Sequence, residues 1–379
     1  MSDQFSTMQA WVYRSKGHPS KVLSLESDYT RPTPSGKFVL VQTRAVSLNP
    51  VGYKMMSLPP LCWFQKTPCV PESDVSGTIV EGDHEGPDFK VGDEVFGIKP
   101  AGQMSVYLSL SILRCRDEPI LTILSLDSLR SGEGVLADYC VVEKSLLRKK
   151  PNNVSFEEAA AVPLAAHTAF VALVDQGGLK RGGSGKVFVN GGSGGVGGFA
   201  VQIAIAYGYQ VSTTCSPSSR TLVQSLAPSV QIFDYTSSPL QDQLAHHVKE
   251  DKKPFDLIFD TIGTPSLYQN SPSYLSNKGI YLDIAGPHID GTFMNLVKAG
   301  SYLMSSLLRP SWLGGVPRKY KFVSMQPTQE NTDEMTRMLA DGSLKVKLDE
   351  VFAFEDAKKA YERSMSGRAK GKVVIRVSE

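Results

Sequence analysis

Apolar residues in the first hundred positions come in short runs, at 8–13, 38–45, 75–81 and 93–98, separated by turns rich in Gly and Pro. Runs of this length and spacing predict an antiparallel, barrel-like β domain. From Ser155 the period changes. Ser155-Phe-Glu-Glu158 has capping-box form and opens a helix over 157–161. A second apolar helical stretch, 162–174, ends at Gly177-Gly178. Strands at 187–189, 210–214, 231–233, 257–259 and 279–284 then alternate with helices, one reaching Tyr207 and one starting at Arg220. That rhythm predicts a parallel, doubly wound sheet. A last strand is expected at 322–325 and a helix at 332–340, stopped by Gly342. The closing segment (345–350, a helix at 355–365, a strand at 372–377) is expected to return to the first domain. The fold class is therefore α/β, with a β-rich domain of residues 1–160 plus 342–379 and an inserted domain of residues 161–341. Residues 102–132 break the pattern with a long stretch of mixed character. Such loops are uncommon in compact domains, and this one reads as a translated intron or gene-model error rather than a lid.

The run from Lys186 to Gly197 joins a buried strand, a tight glycine turn and the first turn of a helix. Within it Gly192, Gly194 and Gly197 match G-x-G-x-x-G in a strand-to-helix context. Glycine there keeps side chains away from a pyrophosphate and lets helix and strand pack closely, and the helix N-terminus offers free N–H groups. A NAD-preferring site carries an acid about 20 residues further on, for the ribose 2′-hydroxyl. Here that window, Val211-Ser-Thr-Thr-Cys-Ser216-Pro-Ser-Ser-Arg220, holds none. Hydroxyls and a guanidinium suit a 2′-phosphate, so NADPH is the expected cofactor. The plainer reading is that Ser216, Ser219 and Arg220 start a surface helix.

Composition removes other classes. A net charge of +2 makes no electrostatic case for nucleic acid or an anionic membrane. No apolar run reaches the ~20 residues that span a bilayer. The segment before Arg14 contains an acid and no base, unlike a secretory signal or an Arg-rich transit peptide. The cytoplasm is the expected location, with mitochondrial or peripheral organelle association left open. Five scattered cysteines (Cys62, Cys69, Cys115, Cys140, Cys215) form no C-x-x-C pair, which argues against disulfides and a zinc site.

Several motifs stand in one order along nearly the whole chain: Ser47-Leu-Asn49-Pro50-Val-Gly-Tyr53-Lys54, Asp74-Val-Ser-Gly77, Val91-Gly-Asp93-Glu-Val-Phe-Gly97 and Ala161-Val-Pro163-Leu-Ala-Ala-His167-Thr168. They are followed by Asn190 to Gly197, Phe233-Asp234-Tyr235, Phe255 to Asp260 and Gly371-Lys372-Val-Val-Ile. In these the chain resembles the zinc-independent medium-chain dehydrogenase/reductases, the quinone oxidoreductase and enoyl reductase group. It is most similar to the reticulon-interacting mitochondrial oxidoreductases, with some likeness to fungal trans-acting enoyl reductases. The resemblance implies a GroES-like β-rich domain carrying an inserted Rossmann domain, and frequent homodimers.

It also implies hydride transfer from NADPH to an α,β-unsaturated carbonyl (an enone or enal) or to a quinone. By family position Asn49 and Lys54 line the nicotinamide end, Thr168 approaches the cofactor, and Gly192, Ser193, Gly194, Gly195 and Val196 meet the pyrophosphate. Ser216, Arg220 and Tyr235 surround the adenosine phosphate, and Lys372 is a further candidate for cofactor binding. Zinc-dependent relatives carry Gly-His-Glu where this chain has Val70-Pro-Glu72-Ser-Asp74, and a four-cysteine lobe absent here, so no metal is expected. Two departures stand out: Asn-Pro-x-Asp has Gly52 in place of Asp, and the quinone reductase Tyr is replaced by Lys54, with Tyr53 one residue away. Tyr53 is either a proton donor or a packed aromatic, and Lys54 either a catalytic or a solvated lysine. Asp74 reads as a structural turn residue and His167 as packing beside the cofactor helix. The stretch 301–313 offers an apolar pocket wall or a dimer contact. Besides the NADPH-dependent enone or quinone reductase, two alternatives remain: a trans-acting enoyl reductase serving a synthase, and a non-catalytic NADPH-binding regulator.

Overall fold

The computed structural model describes residues 6–59, 61–82, 89–99, 133–287, 293–323 and 328–378. The anomalous segment 102–132, with Cys115, lies outside the described residues. The chain forms two compact units, one of Met1–His167, Pro327–Gly342 and Val346–Glu379, the other of Thr168–Gln326 and Ser343–Lys345. The division falls inside the helix Pro163–Phe170. The helix Gln329–Ala340 groups with the β-rich unit, although the chain pattern assigns 161–341 to the inserted domain. Side-chain bonds tie it there: Thr332 Oγ1 lies 3.0 Å from His167 Nε2, Asp333 pairs with Arg148 at 2.5 Å, and Asn153 donates to the Leu339 carbonyl.

In the β-rich unit, β1 (Thr7–Tyr13) and β2 (Leu23–Thr30) form a two-stranded antiparallel sheet. β3 (Phe38–Ser47), β4 (Asp74–Gly82), β5 (Glu94–Ile98), β6 (Tyr139–Glu143) and β7 (Leu147–Lys149) belong to a larger sheet. Its core is the apolar set the alternation marks, including Val12, Tyr13, Val41, Val46, Val75 and Val95, all buried. Each such side chain contributes about 1.5–3 kcal/mol. The helix after Ser155 runs Phe156–Ala160 and has the full capping box, Ser155 Oγ accepting from Glu158 N and Glu158 accepting from Ser155 N.

The second unit is built on β8 (Lys186–Asn190), β9 (Gln210–Thr214), β10 (Gln231–Phe233), β11 (Phe255–Asp260), β12 (Leu275–Asp283) and β13 (Lys319–Phe322). All pairings are parallel, in the order β10-β9-β8-β11-β12-β13. The order reverses between β8 and β11, a topological switch point whose carboxyl edge is the favoured ligand position in open α/β sheets. The last strand lies earlier than the 322–325 expected. Tyr320 is its buried residue, flanked by Lys319 and Lys321, and those lysines hide the strand from a hydrophobic scan.

Two C-terminal strands, β14 (Leu348–Ala353) and β15 (Lys372–Arg376), return to the first unit and complete its seven-stranded sheet, ordered β14-β15-β3-β4-β5-β7 with β6 also on β3. The pair β14 and β15 is parallel, an exception to the antiparallel domain expected. The helix Ala357–Met365 supplies the crossover that parallel neighbours need. The fold is thus α/β, a GroES-like β-rich part with a Rossmann-like parallel sheet inserted. Among the described residues no helix is long and apolar enough to cross a membrane. Their four cysteines, Cys62, Cys69, Cys140 and Cys215, are free and buried.

Candidate functional site

The glycine turn after β8 divides its labour among four positions. Gly191, one residue ahead of the motif, has φ +96°, the left-handed region that glycine adopts at no steric cost. A Cβ on Gly192 would meet Thr213 Oγ1 at 2.2 Å, and one on Gly197 would meet the Gly191 carbonyl oxygen at 2.1 Å. Those two glycines allow β9 and the helix to close on the turn. Gly194 differs, because its Cβ would find only the Gly191 carbonyl oxygen, at 3.3 Å. It is the N-cap of the helix Gly195–Ala206 and brings no capping side chain. The ladder begins with Gly198 N donating to Gly194 O at 2.9 Å. The amides of Gly195, Val196 and Gly197 therefore precede it, as at every helix start. Ser193, Gly194, Gly195 and Val196 are half-buried.

A buried polar network holds this turn. Gly191 N donates to Thr214 Oγ1 at 2.8 Å and Gly192 N to the Thr214 carbonyl at 3.0 Å. Thr214 in turn donates to Asn190 Oδ1, and Asn190 Nδ2 to Asp260 Oδ1, both at 2.8 Å. Asp260 also accepts from the amides of Ile262, Gly263 and Thr264 and from Tyr281 OH. The sequence reading missed Thr214 and the anchoring role of Asn190 and Asp260. Polar residues ending two apolar strands were the available signal.

Past β9, Ser216 stands at the N-cap position of the short turn Pro217–Ser219 without a capping bond, its hydroxyl 3.1 Å from Ser218 Oγ and 3.3 Å from Ser219 Oγ. Arg220 opens the helix Arg220–Leu226 and is exposed. Tyr235 follows β10 and is 55 % exposed. Burial raises the Cys215 thiol, and the nearby Arg220 charge opposes that rise without reversing it. Asp234 faces its own turn, accepting from Thr236 N and Oγ1 at 2.8 and 2.6 Å, and these bonds hold its carboxyl below the usual range. Ser216, Arg220 and the Asp234-Tyr235 turn thus gather at the carboxyl ends of β9 and β10. Thr168 is buried in the same unit.

The β-rich unit holds a second cluster. Asn49 is the N-cap of the helix Pro50–Ser57, an element the chain pattern did not predict. Its carboxamide accepts from Lys372 Nζ at 2.6 Å and donates to Asp74 Oδ2 at 3.0 Å. Lys372, with its side chain 6 % exposed, also donates to the Leu48 carbonyl and sits 3.7 Å from Asp74 Oδ2. Asp74 Oδ1 accepts from Leu164 N. Glu72, fully buried, accepts from Asn49 N at 3.2 Å and from Tyr361 OH at 2.6 Å. Burial pushes the Glu72 carboxyl up to about 8 and that of Asp74 up to about 6, and lowers the Lys372 ammonium. Tyr361 was not singled out from the sequence, and Glu72 was named only within the stretch that replaces the zinc-ligand motif, although an acid inside an apolar run (Cys-Val-Pro-Glu) is a signal in itself.

Tyr53 and Lys54 ride on the same helix, so their adjacent side chains diverge by about 100°. Tyr53 is half-buried against the apolar core, and burial followed by the Glu72 charge raises its hydroxyl. Lys54 is half-buried in the last turn, and burial alone lowers its ammonium. His167 is buried, Nδ1 3.1 Å from the Pro163 carbonyl. Residues of the stretch 301–313 lie on the helix Phe293–Leu308 and the turn Ser311–Leu313, with Met304, Leu308, Trp312 and Leu313 exposed.

A parallel sheet with a glycine turn at its switch point, in a chain that also carries a β-rich unit, defines a pyridine-nucleotide-dependent oxidoreductase fold. The alcohol dehydrogenase GroES-like domain family matches residues 35–152, and the zinc-binding dehydrogenase family matches residues 230–375. Trans-enoyl reductase pgmF of Aspergillus terreus is 30 % identical over 384 residues, spanning 99 % of this chain and 97 % of that protein. The zinc-type alcohol dehydrogenase-like protein C16A3.02c of Schizosaccharomyces pombe is 31 % identical, over 98 % of this chain and 97 % of its own. The solved quinone oxidoreductase of Coxiella burnetii is similar in fold, with a TM-score of 0.71 at 23 % identity over 98 % of this chain and 99 % of that one. The chain belongs to the medium-chain dehydrogenase/reductase family. Within it, this is an oxidoreductase of the enoyl reductase and quinone oxidoreductase type.

Proposed function

We propose that this protein is an NADPH-dependent reductase of activated C=C bonds or quinones that works without zinc. The observation that supports it most is the start of the helix Gly195–Ala206, where the N-cap Gly194 has no side chain and the amides of Gly195, Val196 and Gly197 lie ahead of the ladder. Those amides and the positive end of the helix dipole suit a pyrophosphate. Ser216 and Arg220, with Tyr235 at the neighbouring strand end, suit a 2′-phosphate, because guanidinium and hydroxyl groups give charge-assisted bonds to phosphate oxygens. Thr168 is assigned to the cofactor by family position. A mycobacterial relative in fold, Rv1454c, was solved with NADPH (TM-score 0.68, 22 % identity, 98 % of this chain and 99 % of that one), which supports the cofactor.

Bound there, the reduced nicotinamide supplies hydride to the β-carbon of an enone or enal, or to a quinone. The chain's part is to orient the acceptor and to meet the negative charge that develops on its oxygen. Lys54 suits that role, a cation kept half-buried in a short helix. Tyr53 is the second candidate, its raised hydroxyl remaining protonated at neutral pH. Asn49 and Lys372 bond to each other and to Asp74, so we assign them to holding the helix rather than to the reacting atoms. The zinc-free reading rests on the same cluster: Glu72 and Asp74 are already engaged by Tyr361, Asn49, Leu164 N and the Lys372 ammonium.

A trans-acting enoyl reductase is the second reading, favoured by relatives of that name and by exposed Trp312 and Leu313, which equally suit a homodimer contact. The test mixes purified protein with NADPH and benzoquinones, 2-enals and carrier-bound enoyl thioesters, following loss of reduced-nicotinamide absorbance. Turnover of free acceptors supports the first reading, and turnover of carrier-bound chains alone supports the second. Tight NADPH binding with every acceptor inert makes the protein a regulator and overturns both. Arg220→Glu is expected to weaken NADPH roughly ten- to hundredfold, the range of a charge-assisted hydrogen bond, and NADH far less. Equal losses on both would remove the phosphate assignment.

A further inference from the structure

The helix Pro50–Ser57 begins without the cap its sequence should bring. Asn49 is the N-cap, yet its side chain makes no capping bond because Lys372 and Asp74 hold it. In a capping box the third helical residue is an acid or amide whose side chain reaches back to the N-cap N–H. That residue here is Gly52, the position where the family pattern puts Asp. The Asn49 N–H is not orphaned. It donates to Glu72 Oε2, a carboxyl oxygen arriving from 23 residues away in the chain and from outside the helix.

Two observations show that the arrangement is fitted. A Cβ on Gly52 would lie 2.1 Å from Glu72 Oε1 and 2.8 Å from its carboxyl carbon, so any other residue at 52 evicts the carboxyl group. Glu72 itself has φ +68°, a left-handed conformation that is strained for a non-glycine residue and persists only where its surroundings hold it. The Tyr361 hydroxyl, at 2.6 Å from Oε1, is part of that hold.

We infer that Glu72 and Gly52 are a complementary pair in which Glu72 supplies from outside the helix the cap carboxyl oxygen that residue 52 lacks, making Glu72 a positioning residue for Tyr53 and Lys54. The titratable groups facing it are Tyr13, Tyr53, Asp74, Tyr361 and Lys372. The claim that the pair sets activity rests on the reductase reading above, whereas the claim that it caps the helix does not.

The experiment compares the full-length parent with Glu72→Gly, Gly52→Asp, the double exchange Gly52→Asp/Glu72→Gly, and Glu72→Gln. Two readouts are taken: amide hydrogen exchange across residues 49–58, and kcat with NADPH and a benzoquinone or 2-enal. Glu72→Gly should free the helix amides and lower kcat by about tenfold or more, since small misplacements of reacting groups have effects of that size. Gly52→Asp alone should do more damage, because two carboxyl groups compete for one site. The double exchange should recover both readouts towards the parent, and Glu72→Gln, which keeps an acceptor oxygen, should lose less than Glu72→Gly. Should Gly52→Asp fail to fold, recovery in the double exchange relative to Glu72→Gly still decides the matter. If the double exchange is no better than Glu72→Gly in hydrogen exchange, the pairing is wrong. If hydrogen exchange recovers while the parent turns over no acceptor, the cap stands and the reductase reading falls. If hydrogen exchange recovers but kcat in Glu72→Gly equals that of an active parent, the positioning role falls.

Discussion

At Gly194 and Gly197 the same substitution should produce opposite kinds of damage. Gly197→Ala places a methyl 2.1 Å from a backbone oxygen, which only movement of helix or turn can relieve. Overpacking of this sort costs about 1–3 kcal/mol, and a lowered urea midpoint with little selective loss of cofactor affinity is expected. Gly194→Ala meets its nearest atom at 3.3 Å and sits at φ −81°, ψ 170°, which alanine tolerates. Its stability should hardly change, while its methyl intrudes where the pyrophosphate approaches and weakens NADPH binding. A Gly194→Ala variant that binds NADPH as the parent does would refute the placement of the diphosphate. Glu72 gives the residue scale a pH signature. Its carboxyl is pushed up to about 8 by burial, so between roughly pH 4.5 and 8 the folded chain holds a proton that the unfolded chain has lost. The stability tied to that proton is present in full below pH 4.5 and is lost as pH rises through 8. Glu72→Gln cannot lose a proton, so its stability relative to the parent should improve steadily across that window. A pH-independent difference between the two would contradict the assignment.

At the scale of the element, Asp260 decides whether the carboxyl edge of the parallel sheet stays closed. Its two oxygens take bonds from Asn190 at the end of β8, from three amides of the turn after β11 and from Tyr281 of β12. Asp260→Asn replaces an acceptor with an NH2 group that, in either orientation, faces N–H or O–H donors. A loss of about 2–3 kcal/mol is expected, the cost of leaving buried polar groups unmatched, read as a lower urea midpoint at constant m-value. An unchanged midpoint would mean that the edge is held by packing alone. What the sequence disclosed at this scale follows from the range of the causes. β9 and β10 begin and end where the apolar pattern places them, and the capping box of Ser155 and Glu158 is a local code written in four residues. β2 and the helix Leu240–Asp251 were not legible, because exposed positions dominate β2 and the helix buries only Leu244. The candidate site divides in the same way. The glycine turn is contiguous in the chain, so spacing reveals it. The Asn49, Glu72, Asp74, Tyr361 and Lys372 cluster joins residues up to 323 positions apart, and no spacing rule announces that Gly52 makes room for Glu72.

For the whole molecule the question becomes which part of the chain responds to the cofactor. The residues assigned to the dinucleotide, from Thr168 through Tyr235, fall in one compact unit, and the capped helix with Tyr53 and Lys54 falls in the other. A ligand that binds only the folded state at a hundred times its dissociation constant adds about 2.7 kcal/mol. For a unit of some 150–250 residues each kcal/mol raises the midpoint by about 2–4 °C, so NADPH should lift the transition of the second unit by roughly 5–10 °C. Differential scanning calorimetry of the full chain is the measurement, at a fixed ligand excess and scan rate. Arg220→Glu should shrink the NADPH lift to the size of the NADH lift, leaving the NADH response in place, because the substitution removes only the partner of the extra phosphate. Part of the difference between the two cofactors should fade as salt is raised, since Arg220 is exposed and the field around it is screened over about 8 Å at physiological ionic strength. If NADH lifts the parent as far as NADPH does, the hydroxyl and guanidinium cluster past β9 is only a helix start, and the cofactor passes to NADH while the fold and the glycine turn keep their roles.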